Sequence, residues 1–230
     1  MDEIIKVENL SKSYGQKGKG AYCQKVLDNL NLDIYGEDFI AIMGPSGSGK
    51  STLLKIIGLI DNNIDSGDVF FLGKNIKKMN FSEVAKFRRE KIGYVFQDFK
   101  ILPSITILDN IVLPNLIAKK SLEEAKEKAL RYLDEFEISN ICNKYSYEIS
   151  GGELQRVAII RSLMNDPDII FADEPTGNLD SDNTEQIIRM LKYLNDNFGK
   201  TIVIVTHNSE FIKYVKKVFI LKEGKLTLSY

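Results

Sequence analysis

Phe39-Ile40-Ala41-Ile42-Met43-Gly44-Pro45-Ser46-Gly47-Ser48-Gly49-Lys50-Ser51-Thr52-Leu53-Leu54-Lys55-Ile56-Ile57 places an apolar run, a glycine-rich turn and a helical pattern in one continuous stretch. Apolar residues at consecutive positions, Phe39 to Met43, suit a strand covered on both faces, as in a parallel sheet. Ser51 to Ile57 follows with helical spacing. Between them, Gly44 to Ser51 fits the phosphate-binding pattern of two glycines, Lys and Ser/Thr, and strand before and helix after is the context that confirms such a match. Glycines allow the N–H groups of Gly47 to Ser51 to turn inward on α- and β-phosphates, and the helix dipole favours the negative charge. The expected nucleotide cradle is Gly44, Pro45, Ser46, Gly47, Ser48, Gly49, Lys50, Ser51 and Thr52. Lys50 is expected to bridge the β- and γ-phosphates, and the Ser51 hydroxyl to hold Mg²⁺.

Working outward, further apolar runs occur at Ile92 to Phe96, Ile169 to Ala172, Ile202 to Val205 and Val218 to Leu221. Helical patterns at Glu153 to Leu163 and Asn183 to Leu194 alternate with them, which predicts an α/β fold with a mainly parallel sheet. Ile4 to Leu10 and Val26 to Ile34 alternate more and flank the turn Gly15 to Gly20, which predicts an N-terminal antiparallel β subdomain. From about Lys100 to Asn143 strand-like runs vanish. Ser121-Leu122-Glu123-Glu124 there reads as a capping box opening a helix through Ala125, Ala129, Leu130 and Leu133. The expected organisation is one unit over 1–230, with an α/β core at about 1–97 and 150–230 and an inserted α-helical lobe at about 98–149.

Two further motifs carry chemistry. Asp168-Ile169-Ile170-Phe171-Ala172-Asp173-Glu174 is an apolar strand ending in two carboxylates, at the carboxyl edge of the sheet where α/β ligands bind. Such a pair in isolation is more often a solvated turn, but beside a phosphate loop Asp173 is expected to hold Mg²⁺, directly or through water. Glu174 is expected to orient or deprotonate the water that attacks the γ-phosphate. Ser150-Gly151-Gly152-Glu153 opens a helix. Ser-x-x-Glu is itself a capping box, yet capping does not require two consecutive glycines, which let backbone approach something closely. A helix N-terminus with a Ser hydroxyl is a second phosphate site. One nucleotide needs two such cradles only if they face each other across a dimer.

The composition sets bounds. Hydrophobic residues make up 43% and charged residues 27%, and 31 Lys and Arg against 32 Asp and Glu give no electrostatic reason to expect a nucleic-acid partner. Cys23 and Cys142 are far apart, without metal-site spacing, and are expected to be small core fillers in a reducing compartment. The start Met1-Asp2-Glu3 lacks the basic and apolar regions of a signal peptide. Ile101 to Ala118 is interrupted by Pro103, Asp109, Asn110 and Pro114 and is not expected to span a bilayer.

Phosphate loop, Ser150-Gly151-Gly152 and Asp173-Glu174, in this order and over essentially the whole length, resemble the ATP-binding subunits of ABC transporters. The resemblance implies the ABC ATPase fold, ATP and Mg²⁺ as cofactors, and ATP hydrolysis. It also implies that Ser150, Gly151 and Gly152 meet the γ-phosphate bound to the partner subunit's Lys50 loop. Gln97 matches the glutamine that touches Mg²⁺ and the attacking water. Asp180 in Gly177-Asn178-Leu179-Asp180 matches the residue that crosses the dimer interface, although a turn and a helix cap also explain it. His207 matches the γ-phosphate histidine, and Tyr14 the aromatic ring that stacks on adenine. Implied partners are a second ATP-binding subunit, expected to be a second copy, and a separate transmembrane permease met by Lys100 to Leu116, with the chain cytoplasmic and peripheral on the inner membrane face. Phe87 to Gln97 and Pro175 to Asp180 resemble the branch of lipoprotein-releasing, macrolide- and peptide-exporting, bacitracin-resistance and cell-division systems. Glu153-Leu154 replace the glutamines common after the signature glycines, and Tyr147 stands where a proline is expected. A non-transport ABC-type ATPase acting on nucleic acid or ribosomes is the alternative, but the single cassette without heptads or a basic patch argues against it. A kinase-like phosphate-loop enzyme would leave Ser150-Gly151-Gly152 idle.

Overall fold

The computed structural model describes residues 2–15 and 23–230, so the turn expected at Gly15 to Gly20 lies, beyond Gly15, outside the described residues, as does the Cys23 side chain. The strand, loop and helix of the opening stretch form as β3 (Phe39–Met43) and α1 (Lys50–Ile57). β3 lies in a six-stranded sheet with β6 (Ile92–Val95), β7 (Ile169–Asp173), β8 (Thr201–Thr206), β9 (Lys217–Lys222) and β10 (Lys225–Leu228), in the order β10-β9-β3-β8-β7-β6. All neighbours from β9 to β6 pair in parallel, and only the β9–β10 hairpin is antiparallel.

Alternation along these strands divides the core into two layers. In β3, Ile40 and Ile42 pack with Leu53, Leu54, Ile56 and Ile57 of α1. Phe39, Ala41 and Met43 point to the other face. That second face is covered by α5 (Gly151–Leu163) and α6 (Ser181–Phe198), through Ile159, Ile160, Ile187 and Leu191 among others. Burial on both faces explains why β3, β7 and β8 read as unbroken apolar runs.

Over α1 lies the antiparallel sheet β2-β1-β4-β5, formed by β1 (Glu3–Gly15), β2 (Cys23–Tyr35), β4 (Ser66–Phe71) and β5 (Lys74–Asn75). The β1–β2 ladder shifts register repeatedly, and Asn9 and Asn29 take positive φ of 51° and 50° there, a conformation asparagine tolerates well. β4, β5 and β10 are strands the apolar runs did not announce, because each is short and only partly buried. Helix α2 (Phe81–Lys91) was equally quiet; its start is nonetheless written in a full Asn80/Glu83 capping box.

Between β6 and α5 come α3 (Ile107–Ile117) and α4 (Leu122–Glu135). Pro114 lies inside α3 without ending it. Ser121 caps α4 by accepting the Glu124 N–H at 3.4 Å, while the reciprocal bond from the Glu124 side chain expected of a capping box does not form. Ile107, Ile111, Ala129 and Leu133 join the same apolar cluster as α5 and α6, with Cys142 packed against its margin. A ring of aromatic contacts, Tyr132 to Phe136 to Tyr193 to Phe198 and back, with centroids 5.8–6.5 Å apart, fastens α4 to α6.

Candidate active site

Parallel register brings the chemistry to one edge. Met43 lies opposite Thr206, Asp173 opposite Val205 and Val95 opposite Ala172, so β3, β7, β8 and β6 all end together. The residues that follow them are the Gly44 loop, Glu174, His207 and Gln97. Four segments far apart in sequence therefore meet at the carboxyl edge, the usual ligand side of an open α/β sheet.

The loop is tightly seated. Gly49 caps α1 at φ 102°, and a Cβ there would lie 2.9 Å from both the carbonyl oxygen and Cγ1 of Val26, so only glycine fits. Lys50 is 7% exposed, and its ammonium donates to the carbonyls of Gly44 (2.9 Å) and Pro45 (3.0 Å). Ser48 Oγ is buried with no hydrogen-bond partner, the condition of a polar atom built to meet a ligand. Ser46 to Ser48 line a cavity of about 280 Å³ whose far wall is Gln24 to Val26 of β2 and Lys222 to Gly224 of the β9–β10 turn. Sequence reasoning missed that turn; its only signal was Glu223-Gly224, a short turn between two modest strands. Tyr14 pairs with Gln24 across the β1–β2 ladder, which sets it beside this cavity. It is 46% exposed, with the Lys12 ammonium 5.0 Å above one face of its ring.

Ser51 Oγ donates to Asp173 Oδ1 at 3.0 Å. Burial raises the Asp173 carboxyl above the usual carboxylate range; the Ser51 hydroxyl opposes this, the Glu174 charge adds to it, and the ammonium groups of Lys55 and Lys50 oppose it. Glu174 then leaves the strand at φ 47°, its N–H bonded to the Val205 carbonyl at 2.8 Å. A left-handed backbone at a glutamate costs of order 1 kcal/mol. Here it turns Glu174 away from the Asp173 direction and onto His207, with Nδ1 to Oε2 at 3.0 Å. Glu174, His207, Thr176 and Gly177 line a cavity of about 350 Å³. Gln97 joins from the other side: its carbonyl accepts from Asn178 Nδ2 at 3.3 Å, and its amide lies beside Gly177.

The Ser150 segment stands apart. Ser150 caps α5 in a complete capping box, and its hydroxyl donates to Glu153 Oε2 at 2.8 Å. Burial works against charge on Glu153, but the Ser150 N–H and hydroxyl, with Lys144 and Arg156 nearby, outweigh it and hold the carboxyl below its ordinary value. Among the described residues neither loop cavity is lined by Ser150, Gly151 or Gly152. Asp180 caps α6, accepting from the Asn183 N–H at 2.8 Å and from its side-chain amide. The close approach expected of the two glycines is partly internal: a Cβ on Gly152 would lie 1.9 Å from Asn183 Oδ1. Gly152→Ala is therefore expected to push that amide off Asp180 and destabilise the protein by about 1 kcal/mol, lowering the melting temperature by roughly 2–4 °C. An unchanged melting curve would mean that the amide swings clear at no cost.

The ABC transporter family model matches residues 27–177. The chain belongs to the ABC transporter family. It is an ATP-binding, ATP-hydrolysing subunit of that family. It is 41% identical to an uncharacterized ABC transporter ATP-binding protein of Methanocaldococcus jannaschii, MJ0796, over 97% of this chain and 95% of that one. It is 40% identical to the lipoprotein-releasing system ATP-binding protein LolD of Aquifex aeolicus, over 98% of this chain and 97% of that one. The dimeric post-hydrolysis structure of the MJ0796 cassette, bound to ADP and Pi, superposes with a TM-score of 0.88 at 40% identity, covering 98% of each chain. The expected ABC ATPase fold is thereby borne out.

Proposed function

We propose that two copies of this chain enclose two ATP·Mg²⁺ between the Lys50 loop of one and the Ser150 segment of the other, and that closure drives a separate permease. The observation that carries this reading is the separation of the two cradles within one subunit, which a second subunit facing the first resolves. The dimeric assembly of the similar MJ0796 cassette supports it. Ser51 and Asp173 fit Mg²⁺: a hydroxyl and a carboxylate oxygen converge, the hard oxygen donors that this ion takes alongside substrate phosphates. Gln97 joins them as a ligand. Bound there, Mg²⁺ would neutralise charge developing on the phosphates. Glu174 takes the proton of the attacking water, and His207 holds Glu174 in place and meets the γ-phosphate. The ATPase rate should therefore rise with the square of protein concentration when subunits are dilute; a strictly linear rate would contradict the shared site.

For the permease, the fitting surface is a groove of about 530 Å³ between α2, β6 and α3. Its rim carries Arg88, Arg89 and Lys100, and its apolar lining includes Phe96, Pro114 and Ile117, the last 63% exposed. Such a groove suits an amphipathic segment bearing an acidic residue. Phe96 and Lys100 flank Gln97, so pressure on the groove reaches the catalytic edge directly. Among the described residues no helix is long and apolar enough to cross a membrane; likeness to transporter ATP-binding subunits is what favours a peripheral position on the cytoplasmic face under that permease. Likeness to LolD favours lipoprotein release or a related extracytoplasmic task. Ile117→Asp combined with Arg88→Glu is expected to leave the ATPase rate of the isolated protein within about twofold, while abolishing its recovery with washed membranes of its own cells. Undiminished recovery would remove the groove from this role.

A further inference from the structure

Beside Ser150, and unused by the reading above, stands a pair of tyrosines. Tyr145 and Tyr147 stack with ring centroids 5.6 Å apart and planes 7° from parallel. They sit on a short 3₁₀ turn, Ser146–Glu148, braced by the Glu148 carboxylate, which accepts the Tyr145 N–H at 2.7 Å. Tyr145 thus covers one face of Tyr147, while the Tyr147 side chain as a whole remains 74% exposed. A large ring held in place yet left in water is a surface prepared for a partner, since ordering it in advance lowers the entropy lost on contact.

Position says what that partner is. Tyr147 precedes Ser150 by three residues, so at most about 10 Å of chain separates them. When Ser150 reaches the γ-phosphate of ATP on a second copy, Tyr147 is carried to within one nucleotide length of that point. Phosphates do not suit an uncharged phenol face; a base or ribose does. On the opposite side of the same cleft, Lys12 occupies one face of Tyr14 and leaves the other to the base, whose outer face then lacks a cover.

We propose that Tyr147, backed by Tyr145, packs in trans against the nucleoside of the ATP held by the second copy, so that the base lies between Tyr14 of one chain and Tyr147 of the other. This rests on the shared site proposed above. Tyr147 is a positioning and nucleotide-selecting residue, not a catalytic one, and it acts only when the dimer closes.

The test compares Glu174→Gln, Glu174→Gln/Tyr147→Ala and Glu174→Gln/Tyr147→Phe. Dimer formation is followed by size-exclusion chromatography against ATP concentration, and the ADP affinity of the monomer by calorimetry. Removing the ring is expected to raise the ATP needed for half-dimerisation roughly tenfold, the scale of one base stacked on an aromatic ring. Phenylalanine should keep the parent value within about twofold, and ADP affinity should be the same in all three. Equal ATP requirements for the Ala and parent proteins would overturn the proposal, as would a parallel loss of ADP affinity, which would place Tyr147 in cis or make it structural. A parent that stays monomeric with ATP would instead sink the shared site itself, and this inference with it.

Discussion

Glu174→Gln is expected to lower the ATPase rate by about 10²–10⁴-fold, the usual contribution of a positioned general base, while leaving ATP binding intact. The substitution keeps side-chain volume, and an amide oxygen can still accept the His207 N–H, which now meets Glu174 Oε2 at 3.4 Å. The bond from His207 Nδ1 can likewise be kept by that oxygen. What disappears is the ability to take a proton from water. Because the Lys50 loop and the Ser51–Asp173 pair are untouched, ATP still enters; because it is not cleaved, the closed state persists. Size-exclusion chromatography should therefore show a monomer without nucleotide and a dimer with ATP, and phosphate release under single-turnover conditions should be nearly lost. Native turnover in this variant would remove Glu174 from its role and make the strained turn at 174 merely structural. A variant that loses turnover but stays monomeric with ATP would sink the proposed pairing of two copies of this chain.

The core of the fold was legible because its physics is local and one-sided. Strands buried on both faces are apolar almost throughout, so β3, β7 and β8 stood out, and the two periodic helices packed on them followed. β4, β5 and β10 are partly exposed, so their residues face no such demand and resemble loop. The site was legible for a different reason. Phosphate chemistry needs a glycine turn, a lysine and a hydroxyl in fixed order, and parallel strands deliver their ends to one edge, so the meeting of Lys50, Ser51, Asp173, Glu174 and His207 at that edge was legible in the sequence. Hidden from the sequence were contacts made by shape: Gly152 yielding room to Asn183, the β9–β10 turn walling the loop cavity, and the Tyr145–Tyr147 stack. Each depends on which segments meet in space, and no spacing along the chain records that.

Lys50→Ala should have the other large effect, on binding instead of turnover alone. In the structure the ammonium is folded into its own loop, bonded to the carbonyls of Gly44 and Pro45 and almost wholly buried. An ammonium has three donors, so at least one is free to meet a phosphate without breaking the other two. A charge-assisted bond of this kind contributes about 1.5–3 kcal/mol, which corresponds to roughly a ten- to hundredfold loss of affinity per bond. With Lys50 expected to bridge the β- and γ-phosphates, removing it should weaken ATP more than ADP, and competition between the two nucleotides in calorimetry measures that difference. Arginine is not expected to rescue, because a planar guanidinium does not fit where a compact ammonium points between two carbonyls. The loop should also loosen, since the Gly44 and Pro45 carbonyls lose their shared donor, and a melting temperature lowered by a few degrees would register it. Equal losses for ATP and ADP would place the lysine on the β-phosphate alone, and undiminished ATP binding would show that the loop's backbone N–H groups, not its lysine, hold the nucleotide.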